Sequence, residues 1–186
     1  VKVSPDGKNV YVGAFLGSTL AVLARNASTG ALTQPPDATG CVAATPTDGC
    51  STALALGAPE GLAISGDGDS VYVANPSANA VGIYTRNPST GALTQATDGT
   101  GCIVSSPLAG CTTGIQIDGA NAIAVSPEDD SVYVTSLLSN TLTTFDRAAN
   151  GQLTQKTGTS ACAIYVLSVG CSLGRALSAP EGLTVS

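Results

Sequence analysis

Histidine, tryptophan and methionine are absent from the 186 residues, and aromatic residues amount to 4%. Without histidine the chain lacks the side chain whose ordinary pKa lies nearest neutrality, so the usual general acid or base of hydrolysis is missing. Basic residues are also scarce: 7 Lys and Arg stand against 13 Asp and Glu, for a net charge of −6, and they form no cluster. Nucleic-acid binding needs a basic footprint and usually stacking aromatics, so that class is excluded. No apolar run approaches the ~20 residues of a membrane helix, and the first residues do not read as a signal peptide. Apolar residues nevertheless make up 43%, with charged residues at only 11%, which is too apolar for a disordered chain. With no Met and with Val1 already inside a repeated block, the chain is expected to be a piece of a longer one.

What is present is a repeat. Val-Tyr-Val begins at Val10, Val71 and Val132, at intervals of 61. Gly30-Ala31-Leu32-Thr33-Gln34 recurs from Gly91 to Gln95 and, altered, from Gly151 to Gln155. Self-similarity at a fixed period means stacked units that bury apolar faces against one another. The units are residues 1–61, 62–122 and 123–186, the last including the first strand of a further unit. The six cysteines keep the same phase, as Cys41/Cys50, Cys102/Cys111 and Cys162/Cys171. Structural zinc wants closer Cys pairs or histidine partners, so bridges within each unit are expected, with free thiols and metal as the competing readings. Disulfides point to an oxidising setting: secreted, extracellular, at the cell surface, or periplasmic.

Each unit reads as four short strands. An apolar first strand (Val1 to Ser4, Leu62 to Ser65, Ile123 to Ser126, Leu183 to Ser186) leads through a tight turn rich in Pro, Gly and Asp to the Val-Tyr-Val strand. A third strand and a Gly-containing turn follow, then a fourth strand with Leu-Thr-Gln. No stretch carries a capped helical period. Four antiparallel strands per unit predict an all-β protein, a β-propeller of three four-stranded blades. Three blades are too few to close a ring, so a parent of six or seven blades, or closure by a second copy, is expected.

The runs Ser4-Pro5-Asp6-Gly7-Lys8-Asn9-Val10-Tyr11-Val12, Val71-Tyr72-Val73-Ala74-Asn75 and Val132-Tyr133-Val134-Thr135-Ser136, each followed by a third strand and Leu-Thr-Gln, resemble the YVTN-type and lactonase-like β-propeller repeats. The resemblance covers all three units and implies the propeller fold. Proteins of this group include lactone-hydrolysing enzymes and bacterial surface proteins. The chain departs from them in having no histidine and in its ten-residue cysteine loop.

Residues repeated at one phase are expected to serve the blade: Tyr11, Tyr72 and Tyr133 as core, Arg25, Arg86 and Arg147 as anchors of the following turn. Glu128-Asp129-Asp130 reads as a solvated hairpin turn. Variable residues lie in the cysteine loops and in the loops between second and third strands, which in propeller topology share one face. Phe15, Asn75, Tyr165 and Leu167 are the candidate contact residues, for a protein or glycan ligand. Glu60, Asn121 and Glu181 share one phase just before the innermost strands, and their hard oxygens suit a divalent cation such as calcium. Gluconolactonase-type propellers are similar in holding such an ion with channel acids and an asparagine. The main functional expectation is a secreted or cell-surface binding or structural module. The alternative is a lactonase-like or divalent-cation-dependent hydrolase with its site in the central channel.

Overall fold

A computed structural model describes residues 1–46, 49–166 and 168–186 and shows three β-sheets in succession. Blade 1 contains β1 (Lys2–Val3), β2 (Asn9–Ala14), β3 (Thr19–Arg25), β4 (Leu32–Thr33), β5 (Cys41–Ala43) and β6 (Ser51–Thr52). Blade 2 repeats them as β7 (Gly61–Ile64), β8 (Ser70–Asn75), β9 (Ala80–Arg86), β10 (Leu93–Gln95), β11 (Gly99–Val104) and β12 (Cys111–Thr113). Blade 3 does so as β13 (Ala120–Val125), β14 (Ser131–Ser136), β15 (Thr141–Arg147), β16 (Leu153–Gln155), β17 (Cys162–Ile164) and β18 (Ser172–Leu173). Residues 183–186, expected as a first strand, form none. An isolated strand needs a second strand to pair with, as β1 has in β2.

The expected fourth strand is split. In blade 1, β4 pairs with the end of β3 (Ala24↔Thr33) and β5 with its start (Ala21↔Cys41), so the intervening residues loop out of one strand position. The glutamine of Leu-Thr-Gln closes that excursion: Gln34 Nε2 donates to Gly40 O and Gln95 Nε2 to Gly101 O, each at 2.9 Å. The blades also carry an edge strand beyond the expected four. β6 runs parallel to β5 (Val42↔Ser51), as β12 does to β11 and β18 to β17. Parallel neighbours ordinarily need a crossover of a dozen residues or more. Here Cys41–Cys50, Cys102–Cys111 and Cys162–Cys171 are bonded across each short return, with Cα separations of 4.9, 4.8 and 4.6 Å.

Strand residues are apolar on both faces because both faces pack on blades. Tyr11, Leu20, Val22 and Val42 of blade 1 meet Leu62, Val71, Val73 and Tyr84 of blade 2. The opposite face of blade 2, with Tyr72, Val81 and Ile83, meets Ile123, Val132, Val134 and Phe145 of blade 3.

Polar residues lock the same seams. Arg86 Nε donates to Tyr11 Oη at 2.8 Å, and Tyr11 Oη donates to Gly91 O at 2.8 Å. The other arms of Arg86 reach Gly68 O, Asn9 Oδ1 and Asp6 Oδ2. One seam on, Arg147 Nε donates to Tyr72 Oη, which donates to Gly151 O, while Arg147 Nη2 pairs with Asp67 at 2.7 Å. The arginines therefore do more than anchor a turn of their own blade: a planar five-donor fork crosses to the preceding blade. Nor is the acidic turn of blade 3 merely solvated. Asp129 accepts from Gly66 N at 2.8 Å and pairs with Arg147 at 3.0 Å. Desolvation raises the pKa of the Asp6 and Asp67 carboxyls, but their hydrogen bonds to Ser4 and Ser65 and to the two guanidiniums outweigh it and hold both below the usual range. Burial pushes the Tyr11 and Tyr72 hydroxyls up.

Candidate functional site

Hydrogen bonds decide which loops share a face. Ser18, Asn79 and Asn140 end the loops between second and third strands, and their carbonyls accept from Ala44, Ser105 and Tyr165 in the cysteine loops at 3.1–3.2 Å. Their side chains also reach the crossover to the next inner strand: Ser18 Oγ accepts from Ala58 N, Asn79 Oδ1 from Gly119 N and Asn140 Oδ1 from Ala179 N. All three residues are left-handed, with φ of 47°, 48° and 56°. Asparagine tolerates that region because its short amide bonds locally. One face of the molecule thus gathers the cysteine loops, the second-to-third-strand loops and the entrances to the inner strands.

The inner strands converge below that face. A Cβ at Gly61 would lie 2.6 Å from Asn121 O, so only glycine permits the approach of β7 to β13. Along the inner strands a trough of about 280 Å³ is lined by Lys2, Ala63, Ala124 and Thr184 among others. Lys2 is the charged residue of that lining and was not singled out from the sequence, where it is one lysine in an apolar strand.

Of the phase-related oxygen donors, Glu60 and Glu181 are exposed and Asn121 is buried. The Asn121 carboxamide is already engaged: Nδ2 donates to Pro180 O at 3.0 Å and Oδ1 accepts from Thr135 Oγ1 at 3.1 Å. Among the described residues no group of three or more His, Cys, Asp or Glu gathers as a metal centre. Two carboxylates and one partly used carbonyl oxygen are what the set offers.

The candidate contact residues divide. Phe15 is 48% exposed and Tyr165 49%, and around Tyr165 the third cysteine loop leaves Val166 and Val169 in solvent as well. Asn75 is a correction: it is fully buried, with Nδ2 donating to Val73 O, so it offers no contact surface. It ends β8 inside the blade, and a polar side chain at a strand end reads in sequence like a loop residue. Its Oδ1, like Ser136 Oγ at the same phase of blade 3, has no hydrogen-bond partner among the described residues. Leu167 lies outside the described residues.

Among the described residues no helix is long and apolar enough to cross a membrane. The three disulfides fit an extracellular or periplasmic protein.

Solved structures with this fold include a putative 6-phosphogluconolactonase from Bacteroides uniformis, 21% identical with a TM-score of 0.60, aligned over 82% of this chain and 37% of its own. A protein from Lactobacillus plantarum is 23% identical with a TM-score of 0.59, over 97% of this chain and 41% of its own. A Pseudomonas aeruginosa periplasmic gluconolactonase is 22% identical with a TM-score of 0.56, over 92% of this chain and 39% of its own. The chain therefore spans about two fifths of these structures, and at such identities they establish the fold alone. No curated protein matches the chain significantly. The family described as lactonase, 7-bladed β-propeller, matches residues 1–104, more than half of the sequence. With blades that repeat in register and lock through shared seams, the chain belongs to the lactonase seven-bladed β-propeller family.

Proposed function

We propose that these blades form part of a lactone-hydrolysing propeller working in an oxidising compartment, with its chemistry at the inner strands beneath the loop-bearing face. The observation that carries this reading is the family match through residues 1–104, which includes β1, β7 and the Glu60 entrance. It agrees with the names of two solved structures of the same fold, a putative 6-phosphogluconolactonase and a periplasmic gluconolactonase. In lactone hydrolysis water adds to the carbonyl carbon, the ring C–O bond breaks, and the ring oxygen leaves as a hydroxyl while a carboxylic acid forms. The exposed carboxylates Glu60 and Glu181, at the entrances to inner strands, are proposed to take the proton from water. Lys2 lines the trough, and its positive charge would suit the developing oxyanion or an anionic sugar lactone. Calcium is proposed to be held, when present, by Glu60, Asn121 and Glu181, whose hard oxygens suit it.

The test is proton release from glucono-δ-lactone above the spontaneous rate near neutral pH. Saturable turnover is expected, falling at least about tenfold in Glu60→Gln or Glu181→Gln. Hydrolysis at the buffer rate would overturn the reading.

A binding role for the loop-bearing face is the second reading, favoured by the exposed apolar cluster of Tyr165, Val166 and Val169. A protein or glycan captured equally well after Tyr165→Ser and Val169→Ser would remove its basis.

A further inference from the structure

Each crossover from a cysteine loop to the next inner strand is held by one side chain of a loop between second and third strands. Ser18 Oγ accepts from Ala58 N at 3.2 Å, Asn79 Oδ1 from Gly119 N at 2.7 Å and Asn140 Oδ1 from Ala179 N at 2.8 Å. In each unit the residue two places further on is the entrance residue: Glu60, Asn121 or Glu181. The holding residue is itself held, since the Ser18 carbonyl accepts from Ala44 N of the first cysteine loop. The three units make the same contact, but they do not hold the same backbone.

Ala58 and Ala179 lie in the left-handed region, with φ of 50° and 45°, and each precedes a proline. An L side chain is disfavoured there, and a following proline pushes its neighbour towards extended backbone, so both positions are strained. The second unit carries Gly119 at this phase, with φ 69° and Ala120 after it, and the same backbone is relaxed. The strain therefore falls on the two units whose entrance residue is an exposed carboxylate. It is missing where that residue is the buried Asn121. Strained backbone persists only where its surroundings over-determine it. Around Ala58 these are the Ser18 hydroxyl, a buried Pro59 and the Glu60 N–H, which donates to Ala74 O at 3.1 Å. Pro59 has its own φ fixed by its ring and so passes the direction set at Ala58 on to Glu60.

We propose that Ser18 and Asn140 are positioning residues, which hold a strained Ala-Pro hinge so that the Glu60 and Glu181 carboxylates keep one direction at the entrances to the inner strands. The inference rests on the reading of Glu60 and Glu181 as the groups that take a proton in lactone hydrolysis. A base works only within hydrogen-bond reach of the proton it removes, and a misplacement of about 1 Å can cost on the order of a hundredfold in rate. Loss of the hold should therefore lower kcat and leave KM alone.

Glucono-δ-lactone turnover and amide exchange, both on the intact, oxidised chain, test it together. Ser18→Ala should lower kcat at least about fivefold with KM changed by less than about twofold. It should also speed exchange of the Glu60 amide at least about tenfold, while Val71 and Val73 in the core keep their protection. Ser18→Asn should restore both, because Asn79 and Asn140 supply the same acceptor in the other units. Ala58→Gly separates positioning from support: relief of the left-handed alanine should keep or raise the melting temperature while kcat falls and Glu60 exchange quickens. Exchange at Glu60 indifferent to Ser18→Ala, or faster exchange with kcat unchanged, would overturn the proposal. Should Ser18→Ala fail to fold, Ala58→Gly reads the same hinge, and unchanged Glu60 exchange there would overturn it as well. Wild-type hydrolysis at the buffer rate would end the lactonase reading alone, and the exchange comparison would still decide whether Ser18 holds the entrance.

Discussion

Arg86 Nε lies 2.8 Å from Tyr11 Oη across the seam between the first two blades, and Arg147 Nε stands at the same distance from Tyr72 Oη across the next. In each case the phenol donates its own hydrogen bond to a carbonyl in the neighbouring blade, so one hydroxyl both accepts and donates across the seam. A buried fork with this many partners is costly to break, because each orphaned group keeps its desolvation penalty.

Tyr72→Phe should therefore destabilise the fold by about 1–3 kcal/mol, since it leaves Arg147 Nε and Gly151 O without their partner. Tyr133→Phe is the internal control: its hydroxyl has no partner among the described residues, and the monomer should change by less than about 0.5 kcal/mol. Urea unfolding of both variants at low protein concentration gives the comparison, and equal losses would contradict the seam assignment.

Acid should loosen the seams. Asp6 and Asp67 have folded pKa values below the ordinary one, so the folded state binds fewer protons than the unfolded state as pH falls. Their contribution is fully present above the unfolded carboxylate value of about 3.9 and is lost as pH drops through the lower folded values. The urea midpoint should decline below about pH 4, and Asp67→Asn should flatten that decline while lowering stability at neutral pH. An unchanged slope in the variant would remove Asp67 from the account.

The glycine turns before the fourth strand separate backbone strain from seam crowding. Gly91 has φ +80°, and a Cβ there would lie 2.2 Å from Asn9 Nδ2 of the neighbouring blade. Gly30 has φ +75° with open space around it. Gly30→Ala should cost about 1 kcal/mol from the left-handed backbone alone. Gly91→Ala should cost about 2–3 kcal/mol, because the asparagine must also leave Arg86. Thermal unfolding of the two variants measures the difference, and indistinguishable values would mean that the seam yields freely.

Each disulfide closes a ten-residue loop and should contribute about 2.7 kcal/mol in the chain-entropy description. Replacing Cys102 and Cys111 together by Ser should lower stability by up to that amount and release the parallel edge strand β12 to faster amide exchange. Retained protection at residues 111–113 would show that the edge strand holds without its bridge.

If Glu60, Asn121 and Glu181 take a divalent cation, calcium added to chelator-treated protein should raise the unfolding temperature. At a hundredfold excess over Kd the gain is ~2.7 kcal/mol, and Glu181→Gln should abolish it. No rise in melting temperature with calcium or magnesium would dispose of the cation.

The repeat was legible from self-similarity at intervals of 61, and the first three strands of each blade and the pairing of cysteines were legible because each depends on residues close together in the chain. β-branched and aromatic runs, turn residues and a ten-residue Cys spacing state local preferences that later packing does not reverse. Tertiary structure alone decided the rest. Leu-Thr-Gln reads as one fourth strand, yet Gln34 and Gln95 cap a break in it through carbonyls six residues on. The recurring arginines read as local anchors, yet two of them cross to tyrosines 75 residues away. Asn75 reads as a loop residue and is buried, while Lys2, inconspicuous in the sequence, lines the trough of the inner strands. These roles follow from which blade face meets which, a relation set by stacking and sheet twist rather than by any residue's neighbours in the chain.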